Sequence, residues 1–290
     1  MIATLVKSAL AGALFTLAMP AMAATPVCGA TPRIAALERA WADPRGPVMI
    51  AAHRGGHLKA PENSLAAFDE AVEAGADFVE MDVRVSSDGV PFIMHDASVD
   101  RTTNGSGKAE AMTYAQLRQL RLKGGDTPPP TLVEALRRTC GRALVDLDMK
   151  TSQVAPVVAV IEGLGMFDQV EMFHGNSEVL RAARAIAPQL QVMTRLHKGL
   201  VLADLNRDLG PVRIVHGDFE TLTPEMRSAI QATPARIWGN ALGLPDAAVK
   251  LGGNASCTAL KSLRDQGLNS IQTNYPALIR SELKRCKLTH

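Results

Sequence analysis

Along this chain, apolar runs of three to six residues alternate with longer stretches in which apolar positions recur every three or four residues. The runs at 48–52, 78–83, 144–149, 170–173, 190–194, 212–215, 236–238 and 270–273 read as strands. Between several of them lie helical patterns. One covers 64–74, with Asn63 as the expected cap and Gly75 as the stop, and others cover 131–138 and 224–232. Pro128, Pro129 and Pro130 cannot lie inside a helix and mark a stiff approach to the second of these. Eight strands joined by crossover helices predict an α/β fold, a TIM-type (β/α)8 barrel, with its working residues at the C-terminal ends of the strands. A ninth run, 90–94, follows the second strand too closely for a crossover. The Asp88-Gly89 turn makes it a small β-hairpin excursion after that strand, folded back so that His95 comes roughly opposite Glu80.

Composition adds limits. At 290 residues, with 47% apolar and 21% charged residues, the chain has enough apolar surface for the core of one barrel domain, expected over 24–290. A net charge of +2 without clustered Lys and Arg provides neither a nucleic-acid groove nor a polybasic membrane patch. Lys7, an apolar run over 8–19, Pro20 and Ala21-Met22-Ala23 form the parts of a secretory signal peptide, so residues 1–23 are expected to be removed. The run is too short to cross a bilayer comfortably; we expect no stable membrane insertion and a periplasmic or secreted location. Cys28, Cys140, Cys257 and Cys286 lack the short spacing of metal ligands. Their even number in an exported chain predicts disulfides, at least one tying a terminus to the barrel, with the pairing open.

Four clusters carry chemistry: His53-Arg54-Gly55, Pro61-Glu62-Asn63, Glu80-Met81-Asp82 and His95-Asp96. Strand side chains alternate, so Glu80 and Asp82 share a side, and pointing outward they would lie under the covering helices. Facing inward, two carboxylates repel and lose hydration, which calls for a cation or a shared proton, and a hard divalent ion with oxygen ligands is the natural partner. Asp146, Asp148 and Lys150 alternate in the same way. Asp148 is the expected third ligand, Asp146 either supports the metal shell or is structural, and Lys150 offers a point charge to a phosphate oxygen. His53 and His95 suit acid–base work on a phosphate ester, each proton transfer contributing about 10²- to 10⁴-fold. Arg54 supplies a forked donor for the phosphate, while Glu62 and Asn63 orient neighbours or complete the metal shell. Asp96 either assists or orders its loop, and His174, His216 and Glu171 either shape an alcohol pocket or serve structure. Together these residues describe a metal-assisted phosphodiesterase site.

The order His53-Arg54-Gly55, Pro61-Glu62-Asn63-Ser64, Glu80-x-Asp82, Asp88-Gly89 and His95-Asp96 resembles the glycerophosphodiester phosphodiesterase family. Asp100 to Gly105, Asp148-Met149-Lys150, Trp238-Gly239-Asn240 and the run from Ile271 to Pro276 resemble its later landmarks. The resemblance implies a barrel, a Ca2+ or Mg2+ ion, and hydrolysis of a small-molecule glycerophosphodiester to glycerol 3-phosphate and an alcohol through a cyclic phosphate. It implies His53 and His95 as the acid–base pair, with neither role assigned. Glu80, Asp82 and Asp148 take the metal positions; Arg54, Glu62 and Lys150 surround the phosphate. Asp148 stands where the family usually has Glu, and Asn274 where it commonly has Asp. Two other readings follow. A phospholipase D-like enzyme on lysolipids needs an apolar approach surface, which a 4% aromatic content does little to supply. A non-catalytic glycerophosphodiester-binding protein is favoured by the two departures and opposed by the intact histidine pair.

Overall fold

The structure, a computed structural model, describes residues 28–29 and 31–290; the expected signal peptide lies outside the described residues. The strands are β1 (Met49–Ala52), β2 (Phe78–Val85), β3 (Pro91–Ile93), β4 (Leu144–Met149), β5 (Val170–His174), β6 (Gln191–Thr194), β7 (Ile214–His216), β8 (Arg236–Asn240) and β9 (Ser270–Thr273). Apart from β3 they pair in parallel in the order β6-β5-β4-β2-β1-β9-β8-β7. The ends of this sheet meet at a single bridge, Arg195 to His216, where the Leu196 N–H also donates to the His216 carbonyl at 2.7 Å. The result is the expected eight-stranded parallel barrel, nearly closed, with one thin seam between β6 and β7.

Among the described residues, eleven α-helices accompany the strands: α1 (Pro32–Ala42), α2 (Leu65–Glu73), α3 (Tyr114–Leu117), α4 (Leu132–Thr139), α5 (Val154–Leu164), α6 (Ser177–Ile186), α7 (Leu202–Leu209), α8 (Pro224–Gln231), α9 (Leu244–Leu251), α10 (Gly253–Asp265) and α11 (Pro276–Arg285). The outward residues of the strands and the inward faces of the helices form one continuous apolar layer. The α2 cap differs from expectation. Ser64, not Asn63, accepts the Ala67 N–H at 3.1 Å, because the Asn63 side chain is turned to Asp82 on β2. The hairpin pairs Val83 with Ile93, and the Met94 N–H extends the ladder to the Asp82 carbonyl at 2.9 Å. His95 therefore emerges one residue from the expected position opposite Glu80. Beyond it the excursion is larger than a hairpin, with its own cluster of Phe92, Met94, Val99, Ala109 and Leu117. Those apolar residues follow no helical or strand period, so the sequence pattern could not reveal them.

Helix α1 closes the N-terminal end of the barrel. Ile34, Leu37 and Trp41 pack on Met49, Phe78, Leu144 and Ile214, and Trp41 meets Phe78 edge-on with ring centroids 5.4 Å apart. Phe78 then meets Trp238 at 5.6 Å, so an aromatic column fills the floor. Arg236 locks this plug. Its side chain is fully buried and donates to the carbonyls of Ala40 (2.6 Å), Trp41 (3.3 Å), Asp43 (2.6 Å), Pro47 (3.2 Å) and Asn269 (2.7 Å). The first three are at or beyond the last turn of α1, where unpaired carbonyls and the helix dipole favour a cation. Two disulfides hold the periphery, Cys28–Cys140 across 112 residues and Cys257–Cys286 across 29. The first ties the N-terminal segment to the end of α4, as expected of one bond, and the second joins α10 to the end of α11.

Burial lowers the Arg236 pKa to about 10, so the side chain remains charged at neutral pH. Arg236→Leu should remove the donors, stripping the Trp41 and Pro47 carbonyls of this partner while Ala40, Asp43 and Asn269 keep one backbone N–H each. We expect a loss of about 2–5 kcal/mol in urea denaturation, the cost of leaving buried carbonyls without a donor. A loss below 1 kcal/mol would show that the plug does not depend on this residue.

Candidate active site

Alternation along each strand sends one set of side chains into the barrel, and at the C-terminal mouth every strand of the ring contributes to one polar cleft. His53 follows β1, Asp82 lies on β2, Asp148 lies on β4 and Lys150 directly follows it. Phe173, Arg195, His216, Asn240 and Gln272 complete the circle from β5 to β9. The cleft has a free volume of about 80 Å³.

The β2–β4 register sets Glu80 beside Asp146 and Asp82 beside Asp148. One carboxylate oxygen each from Glu80, Asp82 and Asp148 lies within 4.8 Å of the others. Desolvation pushes the Glu80 carboxyl well above its ordinary range, and the charges of Asp82 and Asp148 push it further. This is the electrostatic signature of a place that favours a cation, and three hard oxygen donors suit a divalent ion. Lys150 partly balances the cluster, with Nζ 2.7 Å from Asp148 Oδ2 and 3.2 Å from Asp82 Oδ1. Burial opposes its charge, but Asp148 and Asp82 outweigh burial and raise its pKa.

The turn after β1 is strained. Arg54 and Asn63 both have positive φ, at 50° and 58°, and a Cβ on Gly55 would sit 2.8 Å from Ala67. The conformation turns the Arg54 N–H onto Glu80 Oε2 at 2.6 Å, while the guanidinium reaches Glu62 at 2.9 Å and Asp82 at 3.2 Å. Asn63 bonds Asp82 twice, from its amide nitrogen at 2.7 Å and through its oxygen to the Asp82 N–H at 3.2 Å. His53 Nδ1 lies 2.8 Å from Asn274 Oδ1. With the amide oxygen as acceptor, Nδ1 carries the proton and Nε2 presents its lone pair. Burial, partly offset by this bond, lowers the His53 pKa to about 4 and keeps the ring neutral.

His95 has a different partner, its Nδ1 lying 2.7 Å from Asp96 Oδ1. Arg101 then grips Asp96 through Nε (2.6 Å) and Nη2 (3.0 Å), and Glu62 through Nη1 (2.9 Å) and Nη2 (2.7 Å). The hydrogen bonds from Arg101 hold the Asp96 carboxyl well below its usual range. In Glu62, burial works upward, but Arg101 and Arg54 outweigh it. Arg84, two residues beyond Asp82 on β2, secures the same arrangement, donating to the His95 carbonyl at 2.8 Å and the Lys150 carbonyl at 3.1 Å. Sequence reasoning assigned no role to Arg84 or Arg101. Their one signal was a charged residue inside an apolar strand and another in the DRTTNG run. His53, Arg54, Glu62, Glu80, Asp82, His95, Asp148 and Lys150 all converge here, whereas His174 bonds the Asn176 N–H and does not line the cleft.

The fold is thus a TIM-type barrel with a polar constellation at the C-terminal mouth of its strands. Residues 53–198 match the sequence model of the glycerophosphoryl diester phosphodiesterase family. The chain belongs to that family. It is 32% identical over 166 residues to a glycerophosphodiester phosphodiesterase of Caldanaerobacter subterraneus, covering 53% of this chain and 68% of that one. Identity to glycerophosphodiester phosphodiesterase 1 of Rattus norvegicus is 45% over 116 residues, 37% of this chain and about a third (35%) of the relative. The crystal structure of glycerophosphodiester phosphodiesterase from Agrobacterium tumefaciens superposes with a TM-score of 0.68 at 27% identity, covering 80% of this chain and 99% of the other.

At the base of the cleft, Asp146, which lines it, faces Glu171 in register on β4 and β5. Both are buried, and among the described residues both Glu171 oxygens and Asp146 Oδ1 lack hydrogen-bond partners. Burial raises both carboxyl pKa values well above their ordinary range, and for Asp146 the Glu171 charge adds to this. A carboxyl whose pKa is raised in the folded state stabilises the fold fully below its unfolded pKa, 4.5 for Glu171. That contribution is lost as pH rises toward the folded value. Glu171→Gln removes the titration. Its melting midpoint should exceed that of the wild type at pH 8, by roughly 2–4 °C per kcal/mol gained, and the gap should close near pH 4. A midpoint difference independent of pH would refute this account.

Proposed function

We propose that this protein is a metal-dependent glycerophosphodiester phosphodiesterase, releasing glycerol 3-phosphate and an alcohol. The observation that carries the reading is the pairing of an amide-backed histidine with a carboxylate-backed one at the mouth that also holds the carboxylate trio. Glu80, Asp82 and Asp148 would hold the ion. A divalent cation bound there supplies positive charge to the phosphate oxygens. Arg54 and Lys150 add a fork and a point charge for the same group. Glu62, gripped by Arg54 and Arg101, fixes the fork.

The two histidines take separate roles on this reading. Neutral His53, with Nε2 free, accepts the proton of the substrate's glycerol hydroxyl as that oxygen attacks phosphorus. His95, oriented by Asp96, gives its proton to the departing alcohol oxygen as the phosphorus–oxygen bond breaks. Asp96 compensates the charge that the ring carries before it gives up the proton. Water then opens the cyclic phosphate with the two roles reversed. The shorter Asp148 still reaches the carboxylate cluster, and Asn274 keeps His53 oriented without adding a negative charge beside it. Both departures are therefore compatible with turnover, which weakens the binding-protein alternative. The disulfides suit an exported enzyme, periplasmic or secreted, and among the described residues no helix is long and apolar enough to cross a membrane.

One observation favours the lysolipid alternative. An apolar cleft of about 210 Å³, lined by Gly55, Gly56, Leu58, Ala71, Pro276 and Leu278, adjoins the His53 turn. It could receive an acyl chain, so lysophosphatidylcholine belongs in the assay beside glycerophosphocholine.

Purified protein with Ca2+ or Mg2+ should hydrolyse glycerophosphodiesters, lose turnover with chelator and regain it on adding the ion back. His53→Ala and His95→Ala should each lower kcat by about 10² or more while keeping the wild-type melting midpoint. Unchanged activity in either variant would overturn the mechanism. A clear preference for the lysolipid, with cyclic phosphate released, would select the alternative substrate.

A further inference from the structure

We propose that Arg195 reads the alcohol half of the substrate, selecting diesters whose alcohol carries an anionic group such as a carboxylate. The proposal rests on the reading of the mouth as a diesterase site and adds to it the class of alcohol.

The topology places this residue. Met193 points into the barrel, and strand alternation turns Arg195 the same way at the rim. In the ring order, β6 lies four strands from β1 in either direction, so Arg195 faces His53 across the mouth. Phosphate groups, metal positions and both histidines occupy the arc of β1, β2 and β4 with its hairpin. A diester held by its phosphate on that arc directs one of its two substituents toward β6.

The electrostatics supply the sign. Three Arg or Lys side chains line the cleft: Arg54, Lys150 and Arg195. Arg54 is paired with Glu62 and Asp82, and Lys150 with Asp148 and Asp82. Among the described residues, Arg195 forms neither an ion pair nor a side-chain hydrogen bond. Its guanidinium lies against the Phe173 ring, 5.8 Å from the centroid, which holds it in place without using its donors. The neighbouring carboxylate, Asp218, is engaged by Thr221 Oγ1 at 2.9 Å and by the N–H groups of Thr221 and Glu220 at 3.0 and 3.1 Å. His216, across the seam from Arg195 with its ring 5.3 Å from that of Phe173, is kept neutral by burial, with Arg195 adding to the effect. The far wall therefore presents one planar fork with its donors free, its charge only partly offset by that of Asp218, and its geometry matches a carboxylate. A choline or ethanolamine group would meet it with like charge.

Glycerophosphoserine and glycerophosphoethanolamine differ by one carboxylate, so their ratio isolates the interaction. The wild type with Ca2+ or Mg2+ should favour glycerophosphoserine in kcat/KM by about ten- to a hundredfold, as one hydrogen-bonded charge pair provides. Arg195→Gln should collapse that ratio toward unity mainly through the KM for glycerophosphoserine, and Arg195→Lys should restore part of it. An unchanged ratio, or an equal fall for both substrates, would overturn the proposal. Calorimetry of both diesters in the His95→Ala background separates binding from turnover. If the wild type turns over neither diester, the catalytic reading fails, and Kd selectivity lost in Arg195→Gln still supports the assignment. Equal Kd values for the two diesters would overturn it.

Discussion

Three carboxylates held within 4.8 Å of one another inside a barrel are the constraint from which the rest of the site follows. Two unit charges at that separation repel by about 3–4 kcal/mol at an effective dielectric near 20, and burial adds its own cost. The chain cannot relieve this by moving them, because the β2–β4 ladder fixes Glu80, Asp82 and Asp148 in register. Relief comes from what converges on them. Lys150 stands one inward step beyond Asp148, the strained turn after β1 brings both the N–H and the guanidinium of Arg54, and Asn63 gives up its capping role to bond Asp82. Local costs in backbone strain and helix capping are thus linked to one electrostatic requirement.

The same requirement explains the rigidity below the mouth. A charge cluster keeps its spacing only if the strands carrying it cannot slide, and the aromatic floor under α1, locked by Arg236, fills the space into which they would relax. Asp146 and Glu171 sit between floor and cleft as a poorly satisfied layer. They cost stability where the fold has packing to spare, a common pattern around functional sites.

Much of this was legible in the residues because it depends on period. Alternation alone puts Glu80 with Asp82 and Asp148 with Lys150, and the count of apolar runs leads to the barrel. The hairpin turn at Asp88-Gly89 placed His95 within one residue of its observed neighbour. What could not be read depends on contacts distant in sequence or on aperiodic chain. Asn274 reaches His53 across 221 residues, and Arg101 lies in an excursion whose apolar residues follow no repeat. The choice of Ser64 over Asn63 as cap was hidden for a related reason: both residue types cap helices, and only Asp82 decides between them.

The seam between β6 and β7 has a mechanical consequence. Seven of the eight junctions in the ring are strand ladders, and the eighth is one bridge with the hydrogen bond beside it. A hoop with one weak joint strains there first, so thermal motion concentrates on the side farthest from β1. The half of the ring around β1, β2 and β4 keeps its gauge while the opposite half gives, so the spacing of the carboxylate trio and the two histidines is insulated from movement at the far rim. One half of the ring is laddered throughout, the other carries the loose joint, and Arg195 stands at that joint.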